Sequence, residues 1–441
     1  MPTFSVPQEI IDCIVSSLQG RDSRTLKSCA LVSRSFLHPS RKSLFSTIHL
    51  LSIVHSRYLH ERVLSPTPEI ARYIRELVVH GRLTDSEDDD RTERDDVDED
   101  AVATWFETDQ SFLRIIQLAD CLQLLSLNEF GPPISWDLAF SKESQSALLD
   151  RFQSPHLNVL KIFRCQGLPV SILASLSQLK GLSIPLGNFG SQALPTHSTP
   201  LAQLNAIELC QQNSQVSRTI LPPMPKLYLL SFPRYYDEYV VQHVFRSARS
   251  IKSLILNLVD NYMREHQLLM VIAYETNPKP CPLALSVPLE LIEDLQSIFI
   301  YCSITGVSWV GYPLAECSRV LRSPAATHSL KELTLAFKYE PLSESPRRGK
   351  NQMERDLASL LLKFSEWGLL DTSLSAISTL RKVHISIPCT GDLLADGILR
   401  IETRAHLPQL HGRRILSIKT GEDVDQMKNA VWSRAVYQTD V

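Results

Sequence analysis

The sequence contains no Cys-x-x-Cys pair, no Gly-x-Gly-x-x-Gly turn, no Gly-x-x-x-x-Gly-Lys-Ser/Thr loop, no Gly-x-Ser-x-Gly elbow and no His-Glu-x-x-His helix. Each absence removes a chemistry: a paired-cysteine zinc or redox site, a dinucleotide or phosphate cradle, a nucleophile elbow and a zincin. The nine cysteines, at 13, 29, 121, 165, 210, 281, 302, 317 and 389, are scattered and read as thiols. Thirteen dispersed histidines offer pairs such as His55 and His60 but no companion ligand. No catalytic, metal or cofactor-binding residue is expected, and the chain reads as a non-enzyme. Long hydrophobic runs are missing too: the longest, LLMVIAY at 268–274, falls well below the about 20 apolar residues that span a bilayer. Charge of one sign does not dominate, since the net value is -3, so no global attraction to nucleic acid or anionic membrane is expected. The opening MPTFSVPQEI lacks the basic and apolar regions of a secretion signal, and no Asn-x-Ser/Thr site occurs. The expectation is a reducing compartment, cytoplasmic or nuclear.

What is present is a chain built to fold. Hydrophobic residues make up 44% of 441 positions, too many for disorder, in a length beyond what one compact core supports. A small unit beside a large or elongated one follows. Residues 5–19, SVPQEIIDCIVSSLQ, predict a helix: Ser5 and Gln8 match a capping box, and Pro7 sits in the first turn, where its missing N–H has no partner. Ile10, Ile11, Ile14, Val15 and Leu18 share one face, and Gly20 is a natural stop. A second helix is predicted from Ser23 or Thr25 to Leu37, ended by Pro39. On its wheel Cys29, Ala30, Val32, Ser33 and Phe36 fall on one broad arc, and Leu31 alone lies opposite. A unit of this size is marginal by itself, so it leans on the rest of the chain or on a partner.

VPQEIIDCIVSSL followed by TLKSCALVSRSFLHPSRKSLFSTIHL resembles the F-box, at Pro7, Glu9, Ile10, Ile11, Ile14, Leu18, Leu26, Cys29, Val32, Ser33, Arg34 and Phe36. The one departure is Val6, where the family usually has leucine. The likeness covers about a tenth of the chain, residues 4–48. It implies a small helical bundle that docks on the Skp adaptor of cullin-RING ubiquitin ligases. Pro7, Ile10, Ile11, Leu31, Val32 and Phe36 are the adaptor-binding candidates it implies.

A different pattern follows SRKSLFSTIHL, itself read as a linking strand. An aliphatic-x-x-aliphatic-x-aliphatic triplet starts at Ile74, Leu122, Leu157, Leu179, Leu204, Leu227, Ile251, Leu295, Leu330 and Leu380. Four successive gaps, from Leu157 to Ile251, measure 22 to 25 residues, inside the leucine-rich-repeat period of about 20–29. Each triplet reads as a short strand with apolar residues inward, and the longer gaps hold helices such as TDQSFLRIIQLADC and SKESQSALLDRF. This region, 70–410, resembles irregular leucine-rich repeats. Only Cys165 keeps the residue type expected at the Asn/Cys position; Gly187, Gln212 and Tyr235 stand there in the next units. The expected fold class is α/β: a small helical bundle, then a leucine-rich-repeat-like solenoid or horseshoe.

Residues between the inward ones should face solvent: Lys161, Phe163, Ser183, Glu208, Leu229, Ser231, Ile255 and Asn257. Phe163, Leu229 and Ile255 are the substrate-binding candidates, with cover by a loop or the C-terminal segment as the alternative. The stretch 84–100 holds eleven acids and two arginines, a local charge of -9, and reads as a solvated insert. Loops are expected at 187–200, 275–282 and 341–352. Met353, Leu357, Leu360, Phe364 and Trp367 then predict a helix stopped by Gly368, and 411–441 forms a tail with helical potential. Together these features lead to a substrate-recruiting subunit that binds the Skp adaptor, and through it a cullin-RING ligase, at one end and a protein substrate at the other. The alternative is a leucine-rich-repeat interaction scaffold whose helical start only caps the repeats.

Overall fold

The computed structural model describes residues 6–18, 23–80, 109–128, 134–163, 165–166, 168–169, 172–173, 176, 178–185, 201–210, 224–233, 244, 248, 250–257, 292, 294–304, 317–318, 321, 328–339, 366–387 and 393–437. Ser5, Gly20, the acidic stretch 84–100, the loops at 187–200, 275–282 and 341–352, and Met353 to Phe364 lie outside them. The chain divides into two compact α/β units, Met1–Gln203 with Gln212–Thr219, and Leu204–Gln211 with Ile220–Val441.

The first unit opens with α1 (Gln8–Leu18), α2 (Ser23–Val32) and α3 (Arg34–Leu44). The single helix expected from Ser23 to Leu37 is thus two, and Pro39 lies inside the second of them rather than ending it. The break is at Ser33, whose backbone is extended at φ -158, ψ 164. Pro39 cannot donate to the Ser35 carbonyl one turn back; Gln8 Nε2 of α1 donates to that carbonyl instead, at 3.3 Å. A helix-helix contact has replaced the lost intrahelical bond.

The strands β1 (Thr47–Leu50), β2 (Glu76–His80), β3 (Leu124–Asn128), β4 (Val159–Ile162) and β5 (Gly181–Pro185) pair in parallel in that order. The end of the segment read as a linking strand is therefore a strand, and it is the first rung of the sheet. Leu77, Leu125, Leu160 and Leu182 stand in one register row, all wholly buried. Between strands run α4 (Gln110–Leu118), capped by Asp109, and α5 (Lys142–Phe152), capped by Ser141. Arg151 of α5 donates to the Ile116 and Gln117 carbonyls, which the end of α4 leaves without helical partners.

In the second unit β6 (Ala206–Cys210), β7 (Leu229–Pro233), β8 (Ser253–Asn257), β9 (Ser297–Ile304), β10 (Glu332–Tyr339), β11 (Lys382–Ile387) and β12 (Leu416–Thr420) are again parallel and sequential. Ile207, Leu230, Leu254, Ile298, Leu333 and Val383 form one buried row across it, and Leu256, Ile300, Leu335, Ile385 and Ile418 the next.

One device recurs between successive strands within each unit. The Asn205 carbonyl accepts from both Tyr228 and Leu229, Tyr228 from Lys252 and Ser253, Lys252 from Gln296 and Ser297, Gln296 from Lys331 and Glu332, and Lys331 from Arg381 and Lys382. The same double acceptance occurs at Ser46, Arg75, Gln123 and Asn158 in the first unit. A hydroxyl often adds to it: Ser250 donates to the Leu227 carbonyl, Ser329 to that of Leu295 and Thr379 to that of Leu330.

The last strands are backed by α6 (Glu366–Ser375), α7 (Leu393–Ala405) and α8 (Pro408–Gly412). Gly368, expected to stop a helix, lies within α6, where an added Cβ would meet nothing within 4 Å. Trp367 is wholly buried as core, edge-on to Phe337. Buried Asp371 accepts from the Gln409 and Leu410 N–H groups and so caps α8. Asp371→Ala is expected to lower stability by about 1–2 kcal/mol by removing that cap, measurable as a lower urea midpoint, with Asp371→Asn recovering part of the loss. Arg413 likewise serves the carbonyls of Ser375, Ile377 and Leu380. After β12 the chain turns at Gly421, with φ 72, a conformation that a side chain disfavours. The tail then forms α9 (Val424–Tyr437), whose first turn is capped by the Asp423 carboxylate. Among the described residues no helix is long and apolar enough to cross a membrane.

Candidate partner-binding site

Two surfaces were expected, one on the N-terminal helices and one on the sheet. The helices α1, α2 and α3 close a small core of Ile11, Val15 and Leu26, against which Leu18, Phe36 and Leu44 pack. The apolar face of α1 is wider than this core can cover. Ile10 remains 50% and Ile14 44% exposed, while Ile11 beside them is 3% exposed. At the end of α2, Leu31 is 88% and Val32 72% exposed. The helix break at Ser33 places both in the last turn of α2, short of the core that Phe36 joins from α3. Pro7 is also exposed. Of the six candidates, Pro7, Ile10, Leu31 and Val32 are thus available to a partner, Phe36 is half-buried, and Ile11 is internal. These four stay exposed, and α3 reaches the segment before β2 through His38, whose Nδ1 lies 2.9 Å from Tyr73 Oη.

The sheet surface differs from expectation. Phe163 is half-buried, but Leu229 and Ile255 are wholly buried, as are Ser183 and Ser231, and Glu208 is nearly so. In the second unit α9 returns to the face that strand alternation turns away from the aliphatic rows. Lys428 Nζ lies 2.6 Å from Glu208 on β6, Asp425 Oδ2 is 2.7 Å from Lys338 on β10, and Glu422 Oε2 is 2.6 Å from His384 Nε2 on β11. Asn205 Nδ2 donates to the Val436 carbonyl at 3.4 Å. Val424, Trp432, Ala435 and Val436 supply the buried stripe of the helix. The spacing of those residues carries this signal in the sequence; the partner face does not announce itself there.

Glu422 is held below the ordinary carboxylate value. Burial pushes it upward, and the hydrogen bonds and positive charges of Lys419 and His384 outweigh that effect. A depressed acid stabilises the folded state above its unfolded pKa of about 4.3 and loses that contribution as pH falls through the lower folded value. Glu422→Gln is therefore expected to lower the urea midpoint at neutral pH, and the difference from the wild type is expected to shrink as pH falls through the lowered folded value.

On the sheet of the first unit His80 stacks on His49, ring centroids 6.1 Å apart, and burial, then the neighbouring His49, lowers its pKa. Among the described residues no group of three His, Cys, Asp or Glu side chains could hold a metal ion. The cysteines at 13, 29, 121 and 302 are free thiols, the last of them buried. Compared with known proteins, the chain matches no family model and no curated protein.

Proposed function

We propose that this chain is a substrate-recruiting F-box subunit of a Skp–cullin-RING ubiquitin ligase, with a leucine-rich-repeat-like solenoid as its substrate arm. The observation that carries the reading is the exposure of Leu31 and Val32, with Ile10, on a helical unit whose own core is already closed. Three large aliphatic side chains left in water on a small folded unit mark a surface for another protein. They occupy the positions at which the F-box resemblance implies adaptor contact. The scaffold alternative has the apolar residues of this unit packing onto the first repeat, and the exposure of Ile10, Leu31 and Val32 favours the ligase reading over it. For the second arm, support comes from parallel strands tied one to the next by the same backbone acceptor, the arrangement of a repeat array.

Such a subunit catalyses nothing itself. It raises the effective concentration of a target beside the ubiquitin-bearing enzyme by holding both. The reading is tested by calorimetric titration of purified Skp adaptor into the full chain. Micromolar or tighter binding at one site is expected. Absence of heat from a folded chain overturns the ligase arm and leaves the interaction scaffold.

A further inference from the structure

We propose that the mixed polar and apolar face of β6–β11 binds an amphipathic helix of a protein partner, and that α9 occupies this face in the free chain as an internal stand-in which the partner displaces. The inference rests on the reading of the strand region as a substrate arm and adds the class of segment that arm takes.

The attachment of α9 suits release. It is joined to β12 through one turn at Gly421, so it can leave without drawing a strand with it. One of its ionic contacts lies in water, Asp425 being 56% and its partner Lys338 38% exposed at the side chain, while Lys428 and Glu208 are 23% and 11% exposed. Exposed pairs like the first bind weakly and are screened by salt. The apolar contribution comes from Val424, Trp432, Ala435 and Val436, which are buried, and from Met427 and Val431, which are half-buried.

The fit of α9 to the face is also incomplete. Ser231, one strand from Glu208 in the same register row, is wholly buried, and its hydroxyl makes no hydrogen bond. Ser386, two residues along β11 from His384 and on the same side, is in the same condition. Buried hydroxyls normally find a partner. Two without one, on the face that α9 covers, indicate a surface shaped for a ligand with more polar groups than α9 presents.

The chemistry of that ligand follows from what α9 offers. An acid meets the Lys338 end of the face, a base three residues later meets Glu208, and a large aromatic four further on precedes small or branched apolar residues, as in Asp425, Lys428, Trp432, Ala435 and Val436. A partner helix with this order of charges, and with a serine, asparagine or glutamine to reach Ser231 or Ser386, takes the site in competition with α9.

The probe is a fluorescein-labelled peptide of residues 421–437, titrated into the full chain and into the full chain carrying Asp425→Lys with Lys428→Glu. That variant reverses two charges of the helix and leaves the sheet untouched. The variant is expected to bind the peptide at least about tenfold more tightly than the wild type does, with an affinity that falls as salt rises. In the wild type, hydrogen exchange read by mass spectrometry should show the α9 amides opening together, at least about tenfold faster than those of β8–β10. Equal protection of α9 and those strands would make the helix a fixed part of the core and overturn the proposal. A variant whose α9 has lost protection but which ignores the peptide overturns it as well. If the variant loses its far-ultraviolet dichroism, the wild-type exchange decides alone. Neither measurement includes the adaptor, so failure here leaves the adaptor titration to stand or fall separately.

Discussion

Leu31→Glu is expected to weaken adaptor binding by about 100-fold or more while leaving the fold intact. The size follows from two terms. Burying a leucine side chain at an interface contributes about 1.5–3 kcal/mol, which the substitution removes. The carboxylate that replaces it must then be desolvated without a partner, at a further cost of about 1–3 kcal/mol or more. Each 1.4 kcal/mol is roughly a factor of ten in Kd. The free protein should not register the change, since Leu31 is 88% exposed at the end of α2 and glutamate is a comparable helix former. Ile11→Glu makes the contrasting control. Ile11 belongs to the internal core, so that variant is expected to lose binding together with the helical signal of the N-terminal unit. Calorimetry and circular dichroism on both variants separate a lost contact from a lost fold. A Leu31→Glu chain that binds as the wild type does would remove this surface from the ligase reading.

Trp367→Ala is expected to cost about 3–5 kcal/mol of stability, the range for deleting a fully buried aromatic. Trp367 has no exposed surface and meets Phe337 edge-on, ring centroids 6.1 Å apart. Neighbouring Leu370 and Leu374 on the same helix are wholly buried as well, so the void has no mobile side chain to fill it. For a unit of this size the loss converts to a fall of roughly 6–20 °C in Tm. Trp367→Phe keeps the edge-on partner and should lose markedly less. Thermal melts of the two variants check both statements, and an alanine variant that melts with the wild type would show that the second unit does not unfold as one body.

The aliphatic triplets were legible in full: every one, from Ile74 to Leu380, runs into a parallel strand whose middle aliphatic is buried. The reason is that period two fixes which side chains must leave water, whatever the partner strand turns out to be. The features missed depend on contacts between distant segments. Pro39 reads locally as a helix end, yet Gln8, 27 residues from Ser35 in sequence, takes up the carbonyl that Pro39 leaves unserved. Gly368 reads as a stop, but it lies within a helix whose course is fixed by the burial of Trp367. Leu229 and Ile255 read as outward because alternation does point them away from the aliphatic rows; it is silent about a helix almost two hundred residues later that returns to that side. For the N-terminal candidates, the wheel sets Leu31 apart, yet Val32, which it places on the arc, is 72% exposed as well, because the helix ends there and Ser33 is extended. Nor can the wheel separate exposed Ile10 from internal Ile11, because adjacent positions on one broad face differ only in what the third helix covers.

The carbonyl that accepts two successive N–H groups has a consequence for how such a chain can change over generations. The hydroxyl ties show it most simply: they join residues 23, 34 and 49 positions apart in sequence through the same short bond. The length of an excursion is therefore not transmitted to the strand that follows it. Entropy hardly objects either, since doubling a loop costs only about 0.6 kcal/mol. Descendants of this gene are free to lengthen, shorten or exchange what lies between two rungs while each rung keeps its height. The acidic stretch at 84–100 sits in such an interval, between β2 and β3. New specificity can enter there as an insertion, without renegotiating the architecture that carries it.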